Sequence, residues 1–264
     1  MGHDGDVFQN VIVPNDGSLE GRIVFAPAAD LAWRCGARVV NVSNTDVSDQ
    51  SSKAIVKQHA ISQSAADVEF WVDLEQSLAN ATLTAASFRP DPIICVASPP
   101  AGPKLLGRGR SSLSPVVAQL AERADVPVVV VGPVADTSRG LPMTEVVVVL
   151  DGSPESAAML GSAAEWARIF KLRMVLTALS GRDGLRQRSD VQQYLDAQAH
   201  SVTAAGGVGV ELVQGSGSVA DLTAMLAGHE DAVVMASLGP AGSSLSKVGA
   251  EMILTSPRAV VLMR

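Results

Sequence analysis

Val11-Ile12-Val13-Pro14-Asn15-Asp16-Gly17-Ser18 and, 135 positions later, Val146-Val147-Val148-Val149-Leu150-Asp151-Gly152-Ser153 share one pattern: an apolar run that stops at Asp-Gly-Ser. Such a run has the length and Val/Ile content of a strand buried on both faces. Asp-Gly-Ser is turn and helix-start chemistry. Two copies at long spacing point to an internal duplication.

Working outward, the copies stay in step. Each Asp-Gly-Ser leads into an Ala-rich segment of helical period, residues 19–35 and 154–170, with Trp33 and Trp166 at matching places. Second strands follow at 38–43 and 173–179, and third strands at 68–72 and 208–213. Pro92-Ile93-Ile94-Cys95-Val96-Ala97-Ser98 parallels Ala232-Val233-Val234-Met235-Ala236-Ser237, and both Ala-Ser endings enter Gly- and Ser-containing loops. The spacing predicts middle helices over 50–65 and 190–204, third helices over 76–87 and 219–226, and last helices over 114–123 and 248–255. Final strands are expected at 126–132 and 259–263. Asp136-Thr137-Ser138-Arg139-Gly140 reads as a linker, dividing the chain into residues 1–140 and 141–264. Strands alternating with helices imply a parallel sheet covered on both faces. Right-handed crossovers make it doubly wound. The fold class is therefore α/β, with two tandem doubly wound parallel five-stranded sheets.

Composition narrows the function. Hydrophobic residues make up 47% and charged residues 18%, which marks a globular chain. Aromatics are only 3%, so the core must be aliphatic. A net charge of −7 counts against a nucleic-acid footprint and suits a cytosolic protein. Cys35 and Cys95 stand far apart in apolar contexts, as buried thiols do, without metal-ligand spacing. The first residues lack the basic-then-apolar pattern of a leader. No run approaches the ~18 residues that span a bilayer, so a cytoplasmic chain with no membrane partner is expected.

In a doubly wound sheet, ligands bind beyond the carboxyl ends of the strands, at the switch point. Asp16 and Asp151 belong there, where a carboxylate can accept hydrogen bonds from a ribose or a base. Equally, Asp-Gly-Ser is ordinary capping chemistry, with Ser18 or Ser153 supplying the oxygen. The loops after the fourth strands bear on phosphate, which Gly-rich backbone at a helix N-terminus can hold. In the second copy this loop carries Gly239, Gly242, Ser243 and Ser244, with Lys247 beyond. In the first it carries Lys104, Gly107, Gly109, Ser111 and Ser112, with Arg108 and Arg110. A plain surface loop has the same composition. Neither contains a P-loop or a clean Gly-x-Gly-x-x-Gly. His3, His59, His200 and His229 all fall away from the strand tips, and no nucleophile elbow appears. No catalytic residue is assigned.

Taken together, the strand ending in Asp-Gly-Ser, the Ala-rich helix, the fourth strand entering a Gly/Ser loop and the terminal Pro127-Val128-Val129-Val130-Val131-Gly132-Pro133 resemble the universal stress protein (UspA-like) family, once per half. The resemblance implies a stress-response role. It also implies an adenine nucleotide, ATP, as the ligand, with Asp16 and Asp151 at the base-contacting position and Val42 at the adenine-packing position. ATP-binding members carry Gly-x-x-Gly, nine residues, then Gly-Ser or Gly-Thr, and both halves depart from this. Gly239-Pro240-Ala241-Gly242 opens the pattern, but Lys247-Val248 stands where Gly-Ser belongs. In the first half Ser114-Pro115 stands there. A side chain at that place blocks close approach of a phosphate. The expectation is a non-catalytic protein with degenerate, asymmetric nucleotide clefts, acting through an unknown protein partner. The alternatives are an ATP-occupied switch with one working site and, on the same scaffold, a hydrolase or nucleotidyl transferase. Family members pair their final strands across a dimer. The expectation here is an intramolecular pseudo-dimer, with the two final strands antiparallel and Val129 and Val261 near the centre of the seam, and with homodimers as a further option.

Overall fold

The strand-forming runs of the sequence end up side by side in one sheet. The computed structural model describes residues 8–18, 20–44, 67–98, 113–137, 140–179, 188–204, 209–213, 218–239, 243 and 245–264. The first half contributes β1 (Asn10–Pro14), β2 (Arg38–Ser43), β3 (Val68–Val72), β4 (Pro92–Ala97) and β5 (Val128–Val131). The second contributes β6 (Glu145–Leu150), β7 (Arg173–Ala178), β8 (Val210–Val213), β9 (Ala232–Ser237) and β10 (Val260–Met263). The described helices are α1 (Phe25–Cys35), α2 (Leu78–Ser87) and α3 (Pro115–Arg123), then α4 (Pro154–Ala158), α5 (Leu160–Phe170), α6 (Arg188–Ala204), α7 (Val219–Leu226) and α8 (Lys247–Thr255).

The strand order is β3-β2-β1-β4-β5-β10-β9-β6-β7-β8. Within each half all pairings are parallel, and the order reverses once, between β1 and β4 and between β6 and β9. The halves are thus two doubly wound sheets with a switch point each, fused into one ten-stranded sheet. The fusion is the antiparallel pairing of β5 with β10, in which Val129 lies opposite Val261. Every residue of both strands is buried. One hydrophobic core lies on each face, and both run across the seam. Val129, Val261, Val11 and Val146 share one, and Val128, Val260, Ile12 and Val147 share the other.

The differences from the sequence reading have local causes. The segment 19–35 is not one helix: a 3-10 turn at Glu20–Val24 precedes α1. Pro27 has no N–H to donate, so it fits only in a first turn, and α1 starts two residues before it. The segment 154–170 likewise divides at Met159, into α4 and α5. The ladder of β5 begins after Pro127 for the same lack of a donor. The helix expected over 50–65 lies outside the described residues.

Two alignments also shift. The tryptophans are not equivalent. Ala37 N donates to Ala32 O, and Leu172 N to Ala167 O, after the left-handed caps Gly36 and Lys171. This register sets Trp166 against Leu31, both fully buried, and Trp33 against Arg168, both exposed. The Ala-Ser endings are offset by one as well. Ser98 N donates to Val131 O and Leu238 N to Met263 O, so Ser98 matches Leu238. The similar spelling misled because strand pairing, not residue identity, sets register.

The first residue after each final strand closes the seam differently. After β10, Arg264 donates to the carbonyls of Ala121, Glu122 and Ala124, at 3.0, 2.7 and 2.8 Å, covering the end of α3. After β5, Gly132 lies under the carbonyl of Ile253 on α8, where an added Cβ would be 2.1 Å from that oxygen.

Three substitutions test this packing. Val129→Asp puts an unpaired charge in the seam and should cost at least about 3 kcal/mol. Gly132→Ala should cost about 1–3 kcal/mol by overpacking. Gly161→Ala, in α5 with open space around it, should be neutral or stabilising by up to ~1 kcal/mol. Urea midpoints of the three variants check this, and equal midpoints for the two glycine variants would remove the close approach as a cause.

Candidate functional site

The two switch points bring β1 beside β4 and β6 beside β9, and the carboxyl ends of these strands are where a doubly wound sheet places a ligand cleft. Asp16 and Asp151 both sit there, on turns that the sequence builds locally. Gly17 and Gly152 have φ of 80° and 83°, the left-handed region where glycine is favoured. Asn15 Oδ1 accepts the N–H of Gly17 at 2.9 Å, and Asp16 Oδ1 accepts that of Ser18 at 2.9 Å. Asp16 is otherwise exposed to solvent.

Asp151 is held more tightly. Its Oδ1 accepts both the N–H and the hydroxyl of Ser153, at 3.1 and 2.6 Å. Burial pushes its carboxyl up, but the hydrogen bonds from Ser153 and Ser156 outweigh this and hold it below the usual value of 3.8. Ser153 is also the N-cap of α4, accepting the N–H of Ser156 at 3.1 Å. Ser18 has no such role toward α1, whose N-cap is Val24, without a side-chain bond. Tyr194 of α6 stands near Asp151 and Ser156. Burial, against Ser156 and together with the Asp151 charge, raises its phenol, whose oxygen makes no hydrogen bond of good geometry.

Val42 is fully buried on β2, opposite Pro14. Its equivalent on β7 is Thr177, opposite Val149, and the Thr177 hydroxyl is buried without a partner. The hydroxyl of Ser98, just past β4, is also buried and unpartnered, as is the side-chain amide of Asn41. Sequence reading passed over all three. A Ser, Thr or Asn inside an apolar run does carry a signal, but its lack of a partner shows only in three dimensions.

Where a phosphate would sit, the described residues offer little. Gly239, at φ 78°, donates its N–H to Ser237 Oγ at 3.0 Å, and an added Cβ there would meet Ser243 Oγ at 3.2 Å. Ser246 caps α8 by accepting the N–H of Gly249 at 3.0 Å. Ser114 caps α3 by accepting that of Val117 at 3.2 Å, and Pro115 in its first turn has no N–H. Lys104, Gly107, Gly109, Ser111, Ser112, Gly242 and Ser244 lie outside the described residues.

Among the described residues, no three His, Cys, Asp or Glu side chains cluster as a metal site. His229 pairs with Glu145 at the opposite ends of the strands, and His200 is exposed on α6. Burial pushes both cysteine thiols up to about 12, slightly offset at Cys35 by Arg34, so neither is a ready nucleophile. Two open cavities, of about 370 and 560 Å³, also lie at the amino ends of the strands, away from both switch points. No described helix is long and apolar enough to cross a membrane.

No family model matches the chain, and no curated protein matches it in sequence. Solved structures do. A universal stress protein of Archaeoglobus fulgidus superposes with a TM-score of 0.66 at 16% identity, covering 99% of each chain. A Pseudomonas aeruginosa protein described as a universal stress protein gives 0.65 at 12% identity, over 98% of this chain and 94% of that one. A Pseudomonas aeruginosa protein of unknown function gives 0.64 at 13% identity, over 98% and 93%. The fold of this chain, over nearly its whole length, is that of universal stress proteins.

The Ser153–Asp151 bond carries a pH signature. A carboxyl whose folded pKa is lowered stabilises the fold above the unfolded pKa, and that stability is lost as pH falls toward the folded one. Ser153→Ala should therefore cost about 1 kcal/mol at pH 7, as a lost cap, and less as the pH drops below 3.8. Urea unfolding of both proteins at pH 7 and pH 3 tests it; a penalty unchanged between the two would detach the serine from the carboxylate.

Proposed function

We propose that this chain is a tandem universal stress protein that works without catalysis, through a protein partner, and whose two nucleotide clefts are reduced. The observation that carries this reading is the state of the helix N-termini facing the clefts. Anions bind there through unsatisfied backbone N–H groups. In both halves a serine of the chain takes the third N–H, and in the first half Pro115 removes another donor. The N–H of Gly239 is likewise taken, by Ser237. These residues fit the phosphate end of ATP poorly, and no step is routed through the nucleotide.

The base end is better preserved in the first half than in the second. Asp16 faces solvent with one local hydrogen bond, whereas Asp151 is engaged twice by Ser153. Val42 keeps an apolar surface where the second half has Thr177. Residual adenine-nucleotide binding therefore belongs to the first half, and an ATP-responsive switch with one site is the second reading.

Purified protein should release no stoichiometric nucleotide on denaturation, as read by mass spectrometry. Calorimetry should give a Kd for ATP weaker than about 100 µM, and Asp16→Ala should weaken it more than Asp151→Ala. Two equal, tight sites would overturn the proposal.

A further inference from the structure

At the amino ends of the strands, the two copies hold charge differently at matching positions. Asn10 opens β1 beside Arg38 of β2, as Glu145 opens β6 beside Arg173 of β7. Glu69 on β3 corresponds to Glu211 on β8 through their strand partners, Val40 and Val175. On the other side, Asn10 lies opposite Pro92 and Glu145 opposite Ala232. Arg89 and His229, each three residues earlier, therefore correspond. Gln9 N donates to Asp91 O and Thr144 N to Asp231 O, in keeping with this register.

In the second half a buried carboxylate organises this place. The Glu145 side chain is 6% exposed. One of its oxygens accepts from Arg173 at 2.5 Å, and the other is bonded to Nδ1 of His229. Arg173 donates its other arm to Glu211 at 2.7 Å. The guanidinium is thus shared between two carboxylates at hydrogen-bonding distance.

In the first half Asn10 replaces that carboxylate. It is uncharged, one methylene shorter, and donates its amide to Pro90 O at 2.9 Å. Glu69 pairs closely with Arg89, which also donates to Ala85 O at 2.8 Å and lies over the Trp71 ring at 4.9 Å. Arg38 is left with Asp67 at 3.8 Å and Glu69 at 3.6 Å, both too long for hydrogen bonds, and its side chain is 50% exposed. Asn10, Arg38 and Arg89 all line the open cavity of about 560 Å³, a volume within the ~300–1,000 Å³ of ligand sites. Trp71 and Phe88 line it too, with their rings stacked at 6.3 Å. Phe88 is 72% exposed, so one face of this wall is open to a ligand.

We infer that this cavity binds a small carboxylic acid with an aromatic body, the carboxylate on Arg38 and the ring against Phe88. The carboxylate is argued from the second half, where the corresponding arginine and His229 hold one. A guanidinium fork also matches a carboxylate's two oxygens in geometry. Glu69 and Asp67 bring negative charge to the rim. Glu211 does the same at the matching place, and Arg173 still holds Glu145 beside it. The aromatic body is argued from the exposed Phe88 ring, since aromatic faces stack favourably. The site is at the opposite ends of the strands from Asp16 and Asp151. The inference therefore goes beyond the stress-protein reading and does not depend on nucleotide binding.

The probe is para-fluorophenylacetate, followed by fluorine NMR on titration with the full chain at pH 7. Saturable binding is expected, weakened at least about tenfold by Arg38→Gln, which removes the cation from a half-exposed position. Asn10→Glu should weaken it similarly, because it gives the first half the internal carboxylate of the second. The neutral amide of the probe should also bind at least about tenfold more weakly. Melting temperatures confirm that both variants fold, and Arg38→Gln alone decides the matter if Asn10→Glu does not. No saturation up to about 10 mM probe, equal affinity for the acid and its amide, or binding that a folded variant leaves unchanged overturns the proposal.

Discussion

An apolar strand at the edge of a parallel sheet leaves one row of backbone N–H and C=O groups unpaired while its side chains avoid water. Val128–Val131 and Val260–Met263 are two such strands. Either alone would be an aggregation surface. Paired antiparallel, they satisfy each other's backbone, and each buried aliphatic side chain contributes roughly 1.5–3 kcal/mol. The rest of the architecture depends on this pairing. It makes both cores continuous across the molecule, and it brings α3 and α8 against the residues that follow the opposite strand.

Duplication explains why the seam is nearly two-fold, and a single chain explains why it is not fully so. Symmetry would put the same residue after both final strands. Instead, Arg264 reaches the carbonyls at the end of α3, where a cation also complements the helix dipole, while Gly132 admits the Ile253 carbonyl of α8. The two solutions are not interchangeable, because a side chain of any size at 132 would meet that oxygen. The connection between the halves breaks the symmetry again, since one chain has only one such segment, and its Leu141 N–H donates to the Asp30 carboxylate on α1.

The sequence carried the strands well because their residues answer to one demand, burial on both faces. The β-branched runs 146–150, 128–131 and 260–263 allow little else. The apolar composition of the final strands showed only that their edges needed cover; the antiparallel contact of Val129 with Val261 was expected from the family resemblance. Helix starts were less legible. The split of 19–35 follows from Pro27, but the split at Met159 has no proline or glycine to mark it. Register was hardest: Trp33 looked like Trp166 by name, yet the caps at Gly36 and Lys171 separate them. At the candidate site, Asp16 and Asp151 announced themselves through Asp-Gly-Ser. The orphaned hydroxyls of Ser98 and Thr177 did not, since a hydroxyl's lack of a partner is a property of what surrounds it.

The carboxyl ends of the strands combine satisfied and unsatisfied polar groups. At the carboxyl ends, Ser114, Ser153 and Ser246 each satisfy an N–H that a helix would otherwise present to an anion. Each cap stabilises its helix by about 1 kcal/mol without any ligand. A protein that leaves such groups open gains that stability only when ligand is bound, in proportion to its concentration over Kd. Self-capping therefore stabilises these helices without any ligand and lowers the gain that an anion could add at their N-termini. Beside these caps, the hydroxyls of Ser98 and Thr177 and the side-chain amide of Asn41 are buried without partners. Among the described residues, the hydrogen-bonding capacity left unmet at these strand ends therefore lies in strand side chains and not at the N–H groups that the serines cap.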